Sequence, residues 1–323
     1  MAALVVAVAV DALRAPDRPA ARTASRDLAT DRAASAAQLR RAGIRGTLVY
    51  TDATCELLAR RLPDLRPVAP PVGLEGPCSF ALSPDGTSVA PGDAAWSRDG
   101  RWALCVGGST AVHAALDLRP GRLVPGCTPA WRPTSPPSLT LVRDGALVEV
   151  DPACGGGPSC ARVLLTRSAL RAAAAQHPDA PTSPSAIRRV SVLDVEWLTA
   201  SRAMLLLRLA IDGVGPRDLL VVLDGARTRG SYAFFDTRRD VLEASLTGRY
   251  LWAGGAFAAR REGPRLSVPD AFGPVHAAAW SPDERWLVLA ARDAVAFVRP
   301  RELGEPRTVV VPLRAADVAW APR

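Results

Sequence analysis

The sequence lacks lysine and asparagine, so all 40 basic residues among its 323 are arginine. Alanine, arginine, proline, glycine and valine dominate instead, a bias typical of a GC-rich genome. The arginines are interspersed with 32 acidic residues, and no run of five basic residues occurs. Although the net charge is +8, this dispersion argues against a nucleic-acid interface. We predict no nucleic-acid partner, while a weak attraction to anionic membrane or cell-wall surfaces fits the charge.

Histidine is scarce, with three residues, and the common catalytic motifs are missing. The sequence contains no G-x-S-x-G nucleophile elbow, no P-loop and no G-x-G-x-x-G fingerprint. These absences exclude the usual serine-hydrolase, nucleotide-triphosphate and dinucleotide sites. We predict no catalytic residue, no cofactor and no metal site. Structural roles are expected for His113, His177 and His276.

The N-terminal apolar run, Ala2–Val10, is too short to cross a bilayer, which takes about 20 residues, and no charged segment precedes it as in a signal peptide. Three interpretations stay open: the tail of a membrane helix that starts upstream, a degenerate signal segment, or an ordinary helix or strand. Residues 14–45 predict a short solvated helix ended by Gly43. We therefore expect residues 1–45 to be an apolar segment and tether, and residues 46–323 to be the main domain.

A repeated phrase of strand, polar turn and strand organises that domain. Its clearest copy is Ala279–Leu289, where Ala-Trp precedes Ser-Pro-Asp-Glu and an apolar strand. Proline presets φ in the turn, and serine and aspartate bind nearby backbone. Asp85, Asp99 and Asp283 occupy equivalent positions, so we predict that they stabilise turns. Copies begin near residues 80, 131, 197, 245, 280 and 320, a spacing typical of β-propeller blades.

The ends of the chain complement each other. The last copy, Ala319–Arg323, is a lone first strand, and Gly46–Tyr50 and Cys55–Ala59 would supply its missing neighbours. One blade built from both ends would leave no open sheet edge. We predict an all-β propeller of about six four-stranded antiparallel blades closed by the C-terminal strand. The copies at 80 and 96 are too close for separate blades, so one of them is interpreted as an extra hairpin.

Residues 151–187 interrupt the repeat. They predict a helical insertion capped by Thr166 or Ser168 and ended by prolines. Long insertions often carry binding residues, so this segment is a candidate contact surface, although a tolerated insertion explains it equally well.

The Ser-Pro-Asp-Gly turn, followed by an aromatic residue and an apolar strand, resembles the repeat of TolB-like and WD-repeat-like propellers over roughly residues 46–323. The departures are Arg98 for proline, Glu284 for glycine and Thr247 for aspartate. Part of the blade count, and an envelope protein as partner, are what this resemblance implies.

The six cysteines fall into three pairs by spacing. The separation of Cys55 from Cys78 nearly equals that of Cys105 from Cys127, and the two pairs are offset by about one blade. The third pair, Cys154 and Cys160, brackets a tight glycine-rich loop. We predict these three disulfides among fifteen possible connectivities. The alternatives are buried free thiols or zinc, but zinc prefers C-x₂₋₄-C pairs, which are missing. Disulfides predict an oxidising compartment.

Two function classes remain open. The first is a non-enzymatic, monomeric interaction propeller at the cell envelope, membrane-tethered or secreted, that binds a protein, peptide or glycan. The second is a propeller enzyme, such as a lactonase or lyase, with a metal or polar site at the channel mouth. The scarcity of histidine and the absence of asparagine count against the enzyme, whereas a cluster of Asp, Glu and His around one mouth would favour it.

Overall fold

The computed structural model describes the chain with gaps. The described residues are 33–73, 78–92, 94–114, 123–154, 158–176, 184–225, 227–235, 242–244, 250–253, 256–259, 266–267, 275–299 and 307–322. The predicted apolar segment and most of the predicted tether lie outside them. None of the helices within the described residues is long and apolar enough to span a membrane.

The described residues form strands that we number β1 to β27 in chain order. Strands β1 to β9 are Gly46–Thr51, Leu57–Leu62, Arg66–Val68, Val72–Gly73, Phe80–Leu82, Ser88–Pro91, Ala95–Trp96, Trp102–Val106 and Ser109–His113. Strands β10 to β18 are Leu123–Pro125, Cys127–Arg132, Ser138–Arg143, Ala146–Val150, Ala161–Leu165, Ile187–Thr199, Arg202–Ile211, Val214–Asp224 and Arg227–Phe235. Strands β19 to β27 are Leu242–Ala244, Tyr250–Ala253, Ala256–Ala259, Leu266–Ser267, Ala277–Trp280, Leu287–Ala290, Val295–Arg299, Arg307–Val311 and Asp317–Ala321.

Two helices accompany these strands, α1 at residues 33–41 and α2 at Arg167–Ala175. Short 3-10 turns occupy Pro152–Cys154, Pro158–Cys160 and Pro184–Ala186.

Six sheets within the described residues have four strands and a seventh has three. The four-stranded sheets run β27-β1-β2-β3, β10-β9-β8-β7, β11 to β14, β15 to β18, β19 to β22 and β23 to β26. The three-stranded sheet has the order β4-β6-β5, with β4 parallel to β6. The hairpin near residue 80 therefore forms a small sheet of its own. It does not belong to a neighbouring blade, because β4 pairs with its second strand.

The last strand pairs with the first. β27 runs antiparallel to β1, and Leu48 lies opposite Trp320. Each sheet has one edge strand that contacts an edge strand of the next sheet. These strands follow the order β27, β5, β7, β11, β15, β19 and β23, and β23 contacts β27 again. We call these seven the inner strands. This order of contacts is typical of a propeller, in which the inner strands line a central space.

Tryptophan side chains link successive inner strands. The indole nitrogen (Nε1–H) of Trp96 donates to the carbonyl of Ala81, and that of Trp131 donates to the carbonyl of Ala95, both at 3.0 Å. Trp280 repeats the contact with the Glu243 carbonyl at 3.1 Å. These tryptophans therefore pack and hydrogen-bond between blades, as expected for amphipathic rings at a half-apolar interface.

The polar turn of the repeat is a hydrogen-bonded module. In the clearest copy, Ser281 Oγ donates to Asp283 Oδ1 at 2.6 Å and accepts from the Trp286 backbone N–H at 2.9 Å. Ser83 and Ser97 are buried like Ser281 and make the same pair of bonds with Asp85 and Asp99 and with a backbone N–H. Each serine satisfies a buried donor that would otherwise be unpaired.

Both helices pack on the sheets. Thr166 caps α2 by accepting from the Ala169 N–H at 3.2 Å, and Leu170 is fully buried against the core of β15 to β17. The apolar face of the insertion is therefore occupied by packing.

Helix α1 corrects the expectation of a fully solvated helix. Leu39 is fully buried and, with Ile44, shares a core cluster with Tyr50, Phe297 and Trp320. Burial of two large apolar side chains at about 25 cal/mol per Å² outweighs the preference of the neighbouring charged residues for water. Gly43 ends the helix as predicted, with φ of +73°.

Candidate functional site

The direction of the inner strands distinguishes the two faces of the molecule. The repeated indole-to-carbonyl bonds join equivalent positions of successive inner strands, as they do when these strands run in the same direction and begin at one face. The turns between the second and third strands of each sheet return to that face, because neighbouring strands within a sheet are antiparallel. We call it the entry face. Asp317 opens β27, Glu243 lies in β19, and His276 directly precedes β23.

Two glutamates interrupt a pattern of small residues on the inner strands. Strand pairing shows which residues of different inner strands are equivalent. Trp280 pairs with Leu287, Trp197 with Ala203 and Ala244 with Leu251, so Trp280, Trp197 and Ala244 occupy the same position. The residue before this position is alanine in the five other inner strands: Ala81, Ala95, Ala130, Ala279 and Ala319. In β15 and β19 it is Glu196 and Glu243.

Four carboxyl groups on the inner strands influence one another electrostatically. Asp194 and Glu196 come from β15, Glu243 from β19 and Asp317 from β27, and we call them the channel acids. Glu243 interacts electrostatically with Asp317 although β23 lies between their strands. The intervening residues of β23 are the small Ala277, Ala278 and Ala279.

Burial controls the ionisation of the two glutamates. It raises the pKa of Glu243 to about 8, and the negative charges of Asp317 and Asp194 add to the effect. It also raises the pKa of Glu196 well above its ordinary value, with contributions from Asp194 and Glu243. All four channel acids keep partial solvent access, so water and ligands can reach groups that protein atoms otherwise surround.

The ionised form of Asp317 is better stabilised than the ionised forms of the two glutamates. Burial raises its pKa to about 6, opposed by hydrogen bonds from the Phe80 and Val318 N–H groups and by nearby His276. Both bonds are 2.8 Å long. Around neutral pH, Asp317 is therefore largely ionised while Glu243 is largely protonated. The site can attract a positive charge and can hold or release a proton.

No group of three His, Cys, Asp or Glu side chains in the described part of the chain has the spacing that would hold a metal ion. The channel acids interact through their electric field without converging on one point. Their most direct chemical capacity is to stabilise a cationic group that enters the space between them.

The cysteines lie where the sequence placed them. Disulfides join Cys55 to Cys78, Cys105 to Cys127, and Cys154 to Cys160, which are the predicted pairs. Because stable disulfides form in oxidising compartments, they favour an extracytoplasmic location.

The predicted turn residues lie away from the channel acids. Asp85, Asp99 and Asp283 sit in turns between first and second strands, which are at the face opposite the entry face. There they accept hydrogen bonds within their own turns.

Two histidines have different surroundings. His113 is buried and stacks on Trp102 with ring centroids 3.9 Å apart, a structural contact. His276 is exposed at the entry face, and its Nε2 lies 2.9 Å from the Ala315 carbonyl. A carbonyl only accepts, so Nε2 carries a proton. His177 lies outside the described residues.

Sequence reasoning missed the channel acids. Glu196 directly precedes the repeat copy that begins near residue 197, and that copy indicates only a strand. The available signal was the departure itself: a charged residue replaces alanine immediately before the repeat tryptophan. Nothing local indicates that Glu243 and Asp317 share its surroundings.

No protein-family model and no curated protein matches the sequence. Among solved structures, the Cps50 (Swd1) β-propeller domain of Myceliophteria thermophila is 12% identical over 86% of this chain and 91% of that domain, with a TM-score of 0.51. TolB from Acinetobacter baumannii is 13% identical over 86% of this chain and 67% of its own, with a TM-score of 0.43. Dihydro-heme d1 dehydrogenase NirN is 12% identical over 84% of this chain and 74% of its own, with a TM-score of 0.44.

These likenesses concern the fold alone. The chain has a β-propeller fold like that of the Swd1 domain, and the predicted propeller fold is confirmed at that level. Such folds host many unrelated activities, so function must be argued from the site.

Proposed function

We propose that this propeller is a non-enzymatic binding module of the cell envelope whose central space receives a basic side chain of a protein or peptide partner. The carrying observation is the mutual electrostatic influence of four carboxyl groups from three inner strands. Burial raises the pKa values of Glu196, Glu243 and Asp317, and repulsion from neighbouring carboxylates adds to the effect at the two glutamates. An incoming cation would offset both effects, because opposite charges favour the ionised form of a carboxyl group.

The proposed site requires a closed ring. We propose that the seven sheets are successive blades, that the three-stranded sheet is a reduced blade, and that β27 closes the ring by pairing with β1. The cyclic order of contacts among inner strands supports this arrangement. A closed ring holds the channel acids at fixed mutual distances and leaves no open edge at the closing blade.

Location follows from the disulfides and the N-terminus. We propose an envelope protein, secreted or tethered through residues 1–45, with the propeller outside the cytoplasm. Three disulfides support the compartment. The proposed anchor and the proposed envelope partner are supported by the sequence alone.

A pair of peptides tests the proposal directly. Acetyl-Ala-Arg-Ala-amide carries one positive charge, and the same peptide with citrulline is its neutral isostere. Calorimetric titration should show binding of the arginine peptide only. Binding should tighten between pH 6 and pH 9 as the carboxyl groups lose protons, and it should release protons into the buffer.

Variants locate the interaction. We expect Glu196→Gln/Glu243→Gln to weaken arginine-peptide binding at least tenfold at pH 9, whereas Glu56→Gln, at an exposed glutamate, should not change it. Equal binding of both peptides, or full affinity in the double variant, would refute a cation site in the channel.

The same acids support a second candidate, a propeller enzyme. Glu243 with a pKa of about 8 could donate a proton at neutral pH while the ionised Asp317 accepts one. Lactone and uronic-acid glycoside turnover, followed by NMR with and without added Mg²⁺ or Ca²⁺, tests this candidate. Turnover that Glu243→Gln abolishes would replace the binding proposal with catalysis.

A further inference from the structure

A cavity on the surface of the molecule is lined by two arginines. It has a volume of about 460 Å³ and is lined by Ala53, His276, Arg292, Asp293, Arg314 and the adjoining Ala315 and Ala316. These residues come from the β1–β2 turn, the β24–β25 turn, the β26–β27 connection and the start of β23. All four segments lie at the entry face. We call this cavity the arginine pocket.

The walls of the arginine pocket are tied together by backbone contacts. The Ala316 N–H donates to the Thr51 carbonyl at 2.8 Å, and the His276 N–H donates to the Ala290 carbonyl at 3.0 Å. His276 Nε2–H reaches the Ala315 carbonyl. The pocket therefore exists before any ligand arrives, which lowers the ordering cost of binding.

The β1–β2 turn is fixed in addition. Asp52 Oδ1 accepts from the Thr54 and Glu56 N–H groups at 2.8 and 3.0 Å. The disulfide between Cys55 and Cys78 fastens the turn to the segment before β5.

The pocket carries more positive than negative charge. The ion pair between Asp293 and Arg314 has a distance of 3.0 Å from Oδ1 to Nε, and both side chains are largely exposed. Arg292 makes no ion pair or side-chain hydrogen bond with the described residues. Guanidinium groups bind planar or tetrahedral oxyanions through paired N–H donors.

We propose that the arginine pocket is an anion site, in which Arg292 and Arg314 bind a carboxylate or phosphate group of a ligand. The pair with Asp293 orients Arg314 and reduces the pocket's net charge, which favours a group of one or two charges. The two arginines are distinct from the channel acids, and the two sites adjoin at His276, which lines the pocket and lies near Asp317.

Titration of the whole protein with inorganic phosphate and, separately, with succinate tests the site. We expect saturable binding of at least one probe to the wild type. Tighter binding of succinate would indicate a carboxylate ligand, and tighter binding of phosphate a phosphoryl ligand. Both results support the site.

Matched variants decide the assignment. We expect Arg292→Gln/Arg314→Gln to weaken the bound probe at least tenfold, while Arg66→Gln, at an exposed arginine of β3, binds as the wild type. Both variants should unfold at the wild-type temperature, because exposed ion pairs contribute about 0–1 kcal/mol. The proposal is overturned if neither probe saturates, or if the double variant retains full affinity. Glu196→Gln/Glu243→Gln should leave this binding intact, which separates it from the cation site.

Discussion

At the scale of single residues, the repeat depends on a serine hydroxyl that bonds in two directions. Ser281 donates to Asp283 and accepts from the Trp286 N–H within a turn that connects two buried strands. Glu284 takes the place of glycine in this copy and adopts a φ of +56°. The hydrogen bonds of the turn hold a backbone conformation that costs an L-residue about 1–2 kcal/mol.

Ser281→Ala should lower the free energy of unfolding by about 1–3 kcal/mol, because it leaves the buried Trp286 N–H without an acceptor. Chemical denaturation measures the loss. Ser201→Ala is the control, since its exposed hydroxyl makes only a 3.4 Å contact with Thr199. Equal effects of the two variants would show that the hydroxyl is not a structural acceptor.

Glu243 should make stability fall as pH rises. Its folded pKa of about 8 exceeds the unfolded value near 4.5, so the folded state binds more protons between these two pH values. The loss is at most about 1.4 kcal/mol for each pH unit in that window. Urea denaturation from pH 5 to pH 8.5 should show the decline, and Glu243→Gln should flatten it. An unchanged slope in the variant would contradict the assignment.

At the scale of elements, inter-blade tryptophans fix how one inner strand meets the next. Trp131 donates to the Ala95 carbonyl, and Arg101 lies 4.7 Å from the centre of its ring. The contact thus combines a hydrogen bond, a cation–π interaction and apolar packing. The same indole-to-carbonyl bond recurs at Trp96 and Trp280, so it belongs to the blade interface and not to a ligand site.

Trp131→Phe should therefore cost more stability than Trp286→Phe. Both remove a similar volume, but Trp286 makes no indole hydrogen bond within the described residues, with Arg299 5.6 Å from its ring centre. We expect an additional loss of about 0.5–1.5 kcal/mol for Trp131, the net value of one hydrogen bond. Thermal and denaturant unfolding of both variants provides the comparison. Equal losses would assign the role of Trp131 to packing alone.

At the scale of the whole molecule, the disulfides covalently link segments of the chain that belong to separate strands or turns. The Cys105–Cys127 bond closes a loop with a sequence separation of 22, and Cys154–Cys160 one of 6. Two disulfides fasten segments at the entry face, where the channel acids and the arginine pocket also lie. Covalent support is thus concentrated where ligands are proposed to bind.

Loop-closure entropy predicts unequal contributions from these bonds. Replacing Cys105 and Cys127 with alanine should cost about 3 kcal/mol, and replacing Cys154 and Cys160 about 2 kcal/mol. Denaturant unfolding of the two double variants measures the difference. A larger loss for the short loop would show that native contacts, not chain entropy, dominate.

The sequence by itself determined the features that depend on neighbours along the chain. The repeated phrase predicted the blades, the turn aspartates and the pairing of β27 with β1, because strand alternation and turn chemistry act over a few residues. Equal cysteine spacing in adjacent blades predicted the disulfides for the same reason. The cap at Thr166 and the stop at Gly43 are likewise local.

Only the tertiary structure decided which distant residues share an environment. Glu196, Glu243 and Asp317 belong to separate blades, and their pKa values depend on burial and on charges that lie close only after the inner strands assemble. The packing of Leu39 against Phe297 and the joining of β4 to β6 are non-local in the same way. Electrostatic and packing energies follow distance in space, which a local sequence pattern does not contain.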